Sequence, residues 1–419
     1  MNTVSQPATG NPSSGQSGGT LVLGWRSATT EVLESLGERV TCVVSPGDVK
    51  TARRRGFGGE LIVVPDPTNV EHVLSGLARK GIAPESFGAV GTNLELAVVA
   101  ASVVGELSAA RALGVRTAIL LRDKVAQKAA VRKAGVPVAE CFTVDALTEL
   151  PSTGSAYPLV VKPLAGAGTV NTFALSSAAE AAELQRLLPG EQGYGPWAVE
   201  EFIDGVEVQI DGVVRDGEVV FLAISRYLQN LITIKQGGLV GCVLLEPSNH
   251  RETYTMANDV VARALAALEH ADGVFHLEGF LQEDRLIFSE CAGRTSGGMV
   301  REMLQKKFGI DLVAEWGRSL LGISAQIPDD SLTDLCYGDV HLVAPPGEIC
   351  SVPTVDQILE REGVVEATVE TRPGNVAADP STSSNVKAGR VIAAGASESE
   401  VEENLKAVAQ WFLSSATTN

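Results

Sequence analysis

The chain has 419 residues, 45% hydrophobic and 20% charged, so it should fold into globular domains, and its length predicts two or three of them. A formal charge of −18 excludes a general nucleic-acid binder, which needs a basic field. Any phosphate bound here must be held by a few local cations.

The first 19 residues, MNTVSQPATGNPSSGQSGG, lack the basic start and apolar core of a secretion signal and read as a disordered tail. From Thr20 short apolar runs, LVLGW (21–25), RVTCVVS (39–45) and ELIVVP (60–65), alternate with amphipathic stretches. That rhythm predicts a parallel sheet with crossover helices, completed by a strand, a turn and an Ala-rich helix over 89–115. A first α/β domain is expected over residues 20–120. No GxGxxG follows its first strand, so a dinucleotide fingerprint is absent. The only basic run, Arg53 to Arg55, reads as solvated surface.

Asp123 is suited to cap a helix, DKVAQKAAVRKAG, that stops at Gly135. Lys124 then lies in the first turn, where the helix dipole is already positive, a placement that makes sense if an anion arrives. Next, YPLVVKPLAGAGTVNTFALSS (157–177) predicts a strand, a Gly-rich loop and a returning strand. Pro163 keeps Lys162 extended, and the backbone N–H groups around Gly166, Gly168 and Thr169 can close over phosphate oxygens. The loop lacks the GK[ST] of a Walker A motif.

The segment 197–225 predicts a strand, a turn at Asp204-Gly205, an alternating strand through Val206, Val208 and Ile210, and a hairpin at Arg215 to Gly217. The hinge around Glu200, Glu201 and Ile203 offers backbone groups to an adenine edge. Alternation puts Glu207 opposite Val206 and Val208, either as a wet-face residue or as an acceptor for ribose hydroxyls. SRYLQNLITIKQGGLVGCVLLE (225–246), with Arg226 and Lys235, reads as an acyl-substrate wall or an ordinary hairpin.

Twelve residues separate Glu278 in HLEGF from Glu290 in FSECAGR, on what read as neighbouring strands, and Arg294 follows four positions later. Two carboxylates suit Mg²⁺, which is usually held by one or two carboxylates plus substrate phosphates, with Mn²⁺ as the alternative ion. The guanidinium could hold a transferring phosphoryl group. His276 shares the strand face of Glu278, where it would orient a substrate carboxylate, take a proton from an amine, or simply pack. Gly297 and Gly298 read as a turn of the same pocket. Beyond Ser331, strands at 339–349, 364–374 and 389–395 and a helix at 399–413, capped by Ser397 or Ser399, carry no catalytic constellation and are expected to complete the pocket's outer wall or an oligomer surface such as a homodimer.

The series DK, VVKP, GAGT, VEEFIDGVE, HLEGF and ECAGR resembles the ATP-grasp superfamily, within it the carboxylate–amine ligases that include the L-amino acid ligases. The similarity covers roughly 85–325, and the remainder resembles, more weakly, the tail of the amino acid ligase branch. The resemblance implies an N-terminal parallel-sheet α/β domain followed by two α+β lobes clasping ATP, with boundaries at 121–203 for the central lobe and 204–419 for the rest. It further implies that Lys124 and Lys162 contact ATP phosphates beneath the Gly166–Thr169 loop, that Glu200, Glu201 and Ile203 read adenine, and that Glu207 takes the ribose. Glu278 and Glu290 would be magnesium ligands, Arg294 would steady an acyl phosphate and tetrahedral intermediate, and amino acids or a short peptide would supply carboxylate and amine.

Three departures stand out. Ala292 occupies the place of the asparagine in the usual ExNxR, as in some amino acid ligase relatives; Asn171-Thr172 replaces a common Gly-Val; and no bicarbonate-linked pattern is present. The alternatives are an ATP-grasp carboxylase or other ATP-grasp ligase, and a non-catalytic nucleotide-binding protein. The six scattered cysteines, without CxxC spacing, and the lack of an apolar run of 18 residues point to a cytoplasmic enzyme with no zinc site, disulfide framework or membrane span.

Overall fold

The computed structural model describes residues 18–151, 157–166, 168–329 and 331–419. The expected tail, up to residue 17, and Ala167 of the Gly-rich loop lie outside the described residues.

Strands β1 (Thr20–Leu23), β2 (Val40–Val44), β3 (Glu60–Val63) and β4 (Ala89–Gly91) form a parallel sheet in the order β3-β2-β1-β4. Leu21, Leu23, Val43, Ile62 and Val90 form its core with helix residues Val73, Leu77 and Val104. A second sheet, β5 (Cys141–Ala146), β6 (Leu159–Pro163), β7 (Phe173–Leu175) and β8 (Tyr194–Glu201), is antiparallel in the order β5-β8-β6-β7.

The third sheet is built from β9 (Val206–Arg215), β10 (Glu218–Tyr227), β11 (Gly241–Leu244), β12 (Gly273–Gln282), β13 (Arg285–Ala292) and β14 (Cys336–Leu342). After β15 (Gly347–Ser351), β16 (Val364–Val369), β17 (Val376–Ala377) and β18 (Gly389–Gly395), the chain ends at β19 (Thr417–Thr418). The order β13-β12-β9-β10-β11-β14-β18-β16 makes one eight-stranded sheet, while β15, β17 and β19 form a small separate one. The expected strand at 339–349 is therefore two strands in two sheets, divided where Pro345 and Pro346 cannot donate to a ladder.

The large sheet is covered on both faces. Val208, Ile210 and Val214 pack against Ala257, Val260 and Val261 of the helix Arg251–Ala267, whereas Val213 joins Met303, Leu304 and Trp316 from two later helices. After Val206, which is 45% exposed at the strand's start, both faces of β9 are buried; Glu207 stands opposite Val208 as expected but is only 8% exposed, so it is not a wet-face residue. The closing helix runs Glu398–Ser415, capped by the Ser397 side chain, and buries Val401, Leu405, Val408 and Phe412 against β14 and β18.

Candidate active site

One cavity of about 650 Å³ receives residues from both large antiparallel sheets and from the segments that follow the strands of the parallel sheet. Of the residues expected to bind ATP, metal or substrate or to act in catalysis, all but Arg226 and Lys235 line it.

Glu278 and Glu290 are direct cross-strand partners of β12 and β13, so their side chains share a face. A register shift just beyond them leaves Ser289 unpaired in the ladder, and its carbonyl accepts from Lys128 Nζ. Burial would raise the Glu290 carboxyl, but Lys124 in direct contact, and Lys162, outweigh it and hold the group well below the usual carboxylate range. Lys124 therefore does meet an anion at its helix terminus, namely Glu290. Tyr227 Oη lies 3.0 Å from Glu278 Oε1.

His276 sits between two carboxylates, Nδ1 3.0 Å from Asp211 Oδ1 and Nε2 3.4 Å from Glu278 Oε1. Burial pulls its pKa down, yet Asp211 and Glu278 push it up to about 10. The two carboxylates thus favour the protonated ring, which can orient and donate. Glu207, Gln209 and Asp211 are buried on the same face of β9. Burial and then Glu278 push the Glu207 carboxyl up to about 8, and it accepts the Leu231 N–H at 2.6 Å.

Glu200 does more than serve a hinge. Its carboxylate is 3.0 Å from Lys162 Nζ and 3.3 Å from Lys128 Nζ. Burial alone would discharge Lys162, but Glu200 and Glu290 raise it and keep the ammonium charged. Lys128 was not singled out in the sequence, although its place one turn after Lys124 puts both on one helix face. Ile203 and the exposed Glu201 also line the cavity, and the Ile203 N–H has no protein partner among the described residues. We expect Lys162→Met to weaken ATP binding about 10- to 150-fold, the loss of one charge-assisted hydrogen bond of about 1.5–3 kcal/mol. Glu200 keeps Lys128, so the fold should survive; unchanged ATP affinity by calorimetry would remove Lys162 from the site.

Arg294 is anchored by Glu95 of the first domain, with Nη2 at 2.6 Å and Nε at 2.9 Å from the same oxygen. The other Glu95 oxygen lies 3.1 Å from Arg122, which also donates to the carbonyls of Ala165 and Gly166. A chain of contacts thus runs from Arg294 to the Gly-rich loop. Glu95 and Arg122 escaped the sequence reading; the one available signal was the position of TNLE just past β4, at the carboxyl end of a parallel sheet where ligands bind.

The loop is also held from the other side. Ser383 Oγ donates to the Gly168 carbonyl at 2.8 Å, and the Ser384 N–H lies 3.0 Å from Thr169 Oγ1. A side chain at Gly168 would strike Asn385. Asn171 adopts φ 54°, a left-handed backbone that asparagine tolerates better than most residues, which accounts for its standing where relatives carry glycine. Gly298 likewise has φ 64°, and a Cβ there would lie 2.5 Å from Asp339 Oδ2, which accepts the Met299 N–H.

Arg226 and Lys235 are placed elsewhere. Arg226 Nη2 pairs with Glu402 of the closing helix at 2.6 Å, and Lys235 Nζ stacks 3.5 Å over the Phe173 ring. The fold thus spends both cations on partners distant in sequence.

Residues 121–287 match the ATP-grasp domain family, and residues 340–411 match L-amino acid ligase C-terminal domain 2. The chain is 27% identical over 309 residues to an L-arginine-specific L-amino acid ligase of Bacillus subtilis, covering 71% of this chain and 73% of that one. Its fold is similar to the crystal structure of an L-amino acid ligase from Bacillus licheniformis (TM-score 0.74, 18% identity, 97% of this chain and 100% of the other). It is also similar to an N5-carboxyaminoimidazole synthase from Aspergillus clavatus (TM-score 0.69, 18% identity, 93% and 97%). The chain thus carries an ATP-grasp domain and an L-amino acid ligase C-terminal domain, resembles the carboxylate–amine ligases, and is an ATP-grasp enzyme that forms C–N bonds.

Proposed function

We propose that this ligase joins the carboxylate of one amino acid or short peptide to the amine of another through an acyl phosphate, releasing ADP and phosphate. The observation that carries this is the facing pair Glu278–Glu290, ringed by Lys124, Lys128, Lys162 and Arg294 around a single cavity. Such a ring can hold a polyphosphate and neutralise charge developing on a transferred phosphoryl group.

A carboxylate does not react with an amine near neutral pH because oxide would have to leave. Transfer of the γ-phosphoryl group to it makes phosphate the leaving group; the amine then attacks the acyl carbon, and the tetrahedral oxyanion expels phosphate. The protein's part is positioning and charge stabilisation. Cys242, the thiol on the cavity wall, is pushed well above its ordinary value by burial and donates to Asp339 at 3.1 Å, so it is no nucleophile at neutral pH.

The two glutamates fit Mg²⁺, since both are oxygen donors facing each other on one wall. Glu278 and Glu290 would hold the ion, which when bound neutralises phosphate charge. No helix among the described residues is long and apolar enough to cross a membrane, and all six cysteines are free. We propose that the reaction takes place in the cytoplasm, where ATP and amino acids are available.

The test is ADP and phosphate release with ATP, Mg²⁺ and pairwise pools of amino acids, followed by ¹⁸O in the substrate carboxylate. One label atom should appear in the released phosphate. Formation of AMP and pyrophosphate, or unlabelled phosphate, would overturn the acyl-phosphate route, and bicarbonate-dependent ADP release would favour a carboxylase.

A further inference from the structure

Part of the cavity wall is cationic beyond what ATP and the phosphoryl group require. Arg26 stands just past the carboxyl end of β1, at the start of the helix Ser27–Ser35, and lines the cavity. Its guanidinium has no ion pair and no hydrogen bond among the described residues. Its charged neighbours are other cations: besides burial, Arg294 disfavours its charge, and Arg26 in turn disfavours the charge of Lys387.

Lys387, on the segment matching the L-amino acid ligase C-terminal domain, is only weakly compensated. Its Nζ lies 3.3 Å from the Asn385 carbonyl and 4.0 Å from Glu370. Glu370 is already engaged by Arg390 Nε at 2.7 Å. Beside them His341 is 7% exposed, and its Nδ1 has no hydrogen-bond partner. Burial, with Lys387 and Arg390, pushes its pKa down to about 4, so it is a neutral ring beside cations. The remaining acid, Asp339, already accepts from Met299 and Cys242.

Arg26 is exposed toward the cavity and Lys387 is half-buried, and a chain of net charge −18 has no shortage of carboxylates that could have paired with them. Their persistence in the cavity wall points to an anion supplied by a substrate. The phosphates of ATP have Lys124, Lys162 and the Gly-rich loop. The reacting carboxylate has Arg294. A free amino acid acting as the amine, however, brings a second carboxylate that must be desolvated, and a planar guanidinium matches it better than any other side chain.

We propose that Arg26 and Lys387, with His341 beside them, bind the free carboxylate of the amine substrate, so that the enzyme selects α-amino acids or peptide carboxylates over their amides. This rests on the amide-ligase reading above. It draws the first domain and the C-terminal domain into one acceptor site.

The full chain would be titrated calorimetrically with single free amino acids and with their α-amides, and ADP release measured with the same pairs as amine substrates. Wild type should prefer the acid by about 10- to 150-fold in both readouts, the value of one charge-assisted contact. In Arg26→Met and Lys387→Met that preference should collapse toward unity while KM for ATP stays the same. Arg26→Lys should retain part of it, which a merely structural role for Arg26 would not produce. Equal binding of acid and amide by wild type, binding of neither, or a preference kept by both Met variants would overturn the assignment. Absence of ADP release with every pair would instead count against the ligase reading, and calorimetry would still judge the carboxylate site.

Discussion

Arg294→Ala should leave nucleotide binding nearly intact and reduce turnover by about 10²–10³, the cost of removing one preorganised donor from developing charge. The guanidinium acts on charge that appears only after ATP is bound, so its contribution falls on kcat and not on ATP affinity. The surroundings favour a clean reading. Glu95, which holds Arg294 with one oxygen, keeps Arg122 on the other at 3.1 Å, so it is not left as an unpaired buried charge. Single-turnover kinetics with a direct nucleotide-binding measurement separate the two quantities. A variant that loses ATP affinity in proportion to turnover would show that Arg294 is a ground-state ligand or supports the loop through Glu95 and Arg122.

Glu278→Gln and Glu290→Gln should each reduce Mg²⁺-dependent turnover strongly, because each removes one carboxylate of the facing pair that would hold the metal. The two variants should differ in a second respect. Glu290 is the counter-charge to Lys124 and lies within reach of Lys162 and Lys128, so its neutralisation leaves three cations less compensated. Glu290→Gln should therefore bind ATP at least as tightly as wild type without Mg²⁺. Glu278 is tied to His276 and Tyr227, and its replacement should give no such gain. The measurements are ATP affinity with and without Mg²⁺ and turnover across a Mg²⁺ titration. Turnover unchanged at low Mg²⁺ in both variants would place the metal elsewhere.

Features carried by short stretches were legible without the fold. Asp123 accepts from the Val125 and Ala126 N–H groups as a cap should, and Leu159–Pro163 and Phe173–Leu175 flank the Gly-rich loop as strands. Glu278 and Glu290 could be placed on neighbouring strands, but the turn register by itself would set Glu278 opposite Ser289, and it is the bulge at Ser289 that brings Glu290 across from it.

Other features depend on contacts the local pattern does not encode. Glu207 sits in an alternating run that reads as half-wet, yet β9 lies inside an eight-stranded sheet with helices on both faces, and burial there turns the carboxylate into the cavity. Arg226 and Lys235 looked like substrate cations because free charge near a Gly-Gly turn carries no sign of its partner; Arg226 meets Glu402, 176 positions away.

The sequence by itself determined the alternation of strands and helices, the caps, the loop and the chemical kinds gathered for the reaction, because these rest on neighbours within a turn or a hairpin. Tertiary structure decided which charges are spent and which remain. Arg294 acquires Glu95 from 199 positions away, Lys128 reaches Ser289 across 161, and Arg26 is left without a partner among the described residues, because distant segments converge on one cavity and distance in space, unlike distance along the chain, sets the Coulomb energy.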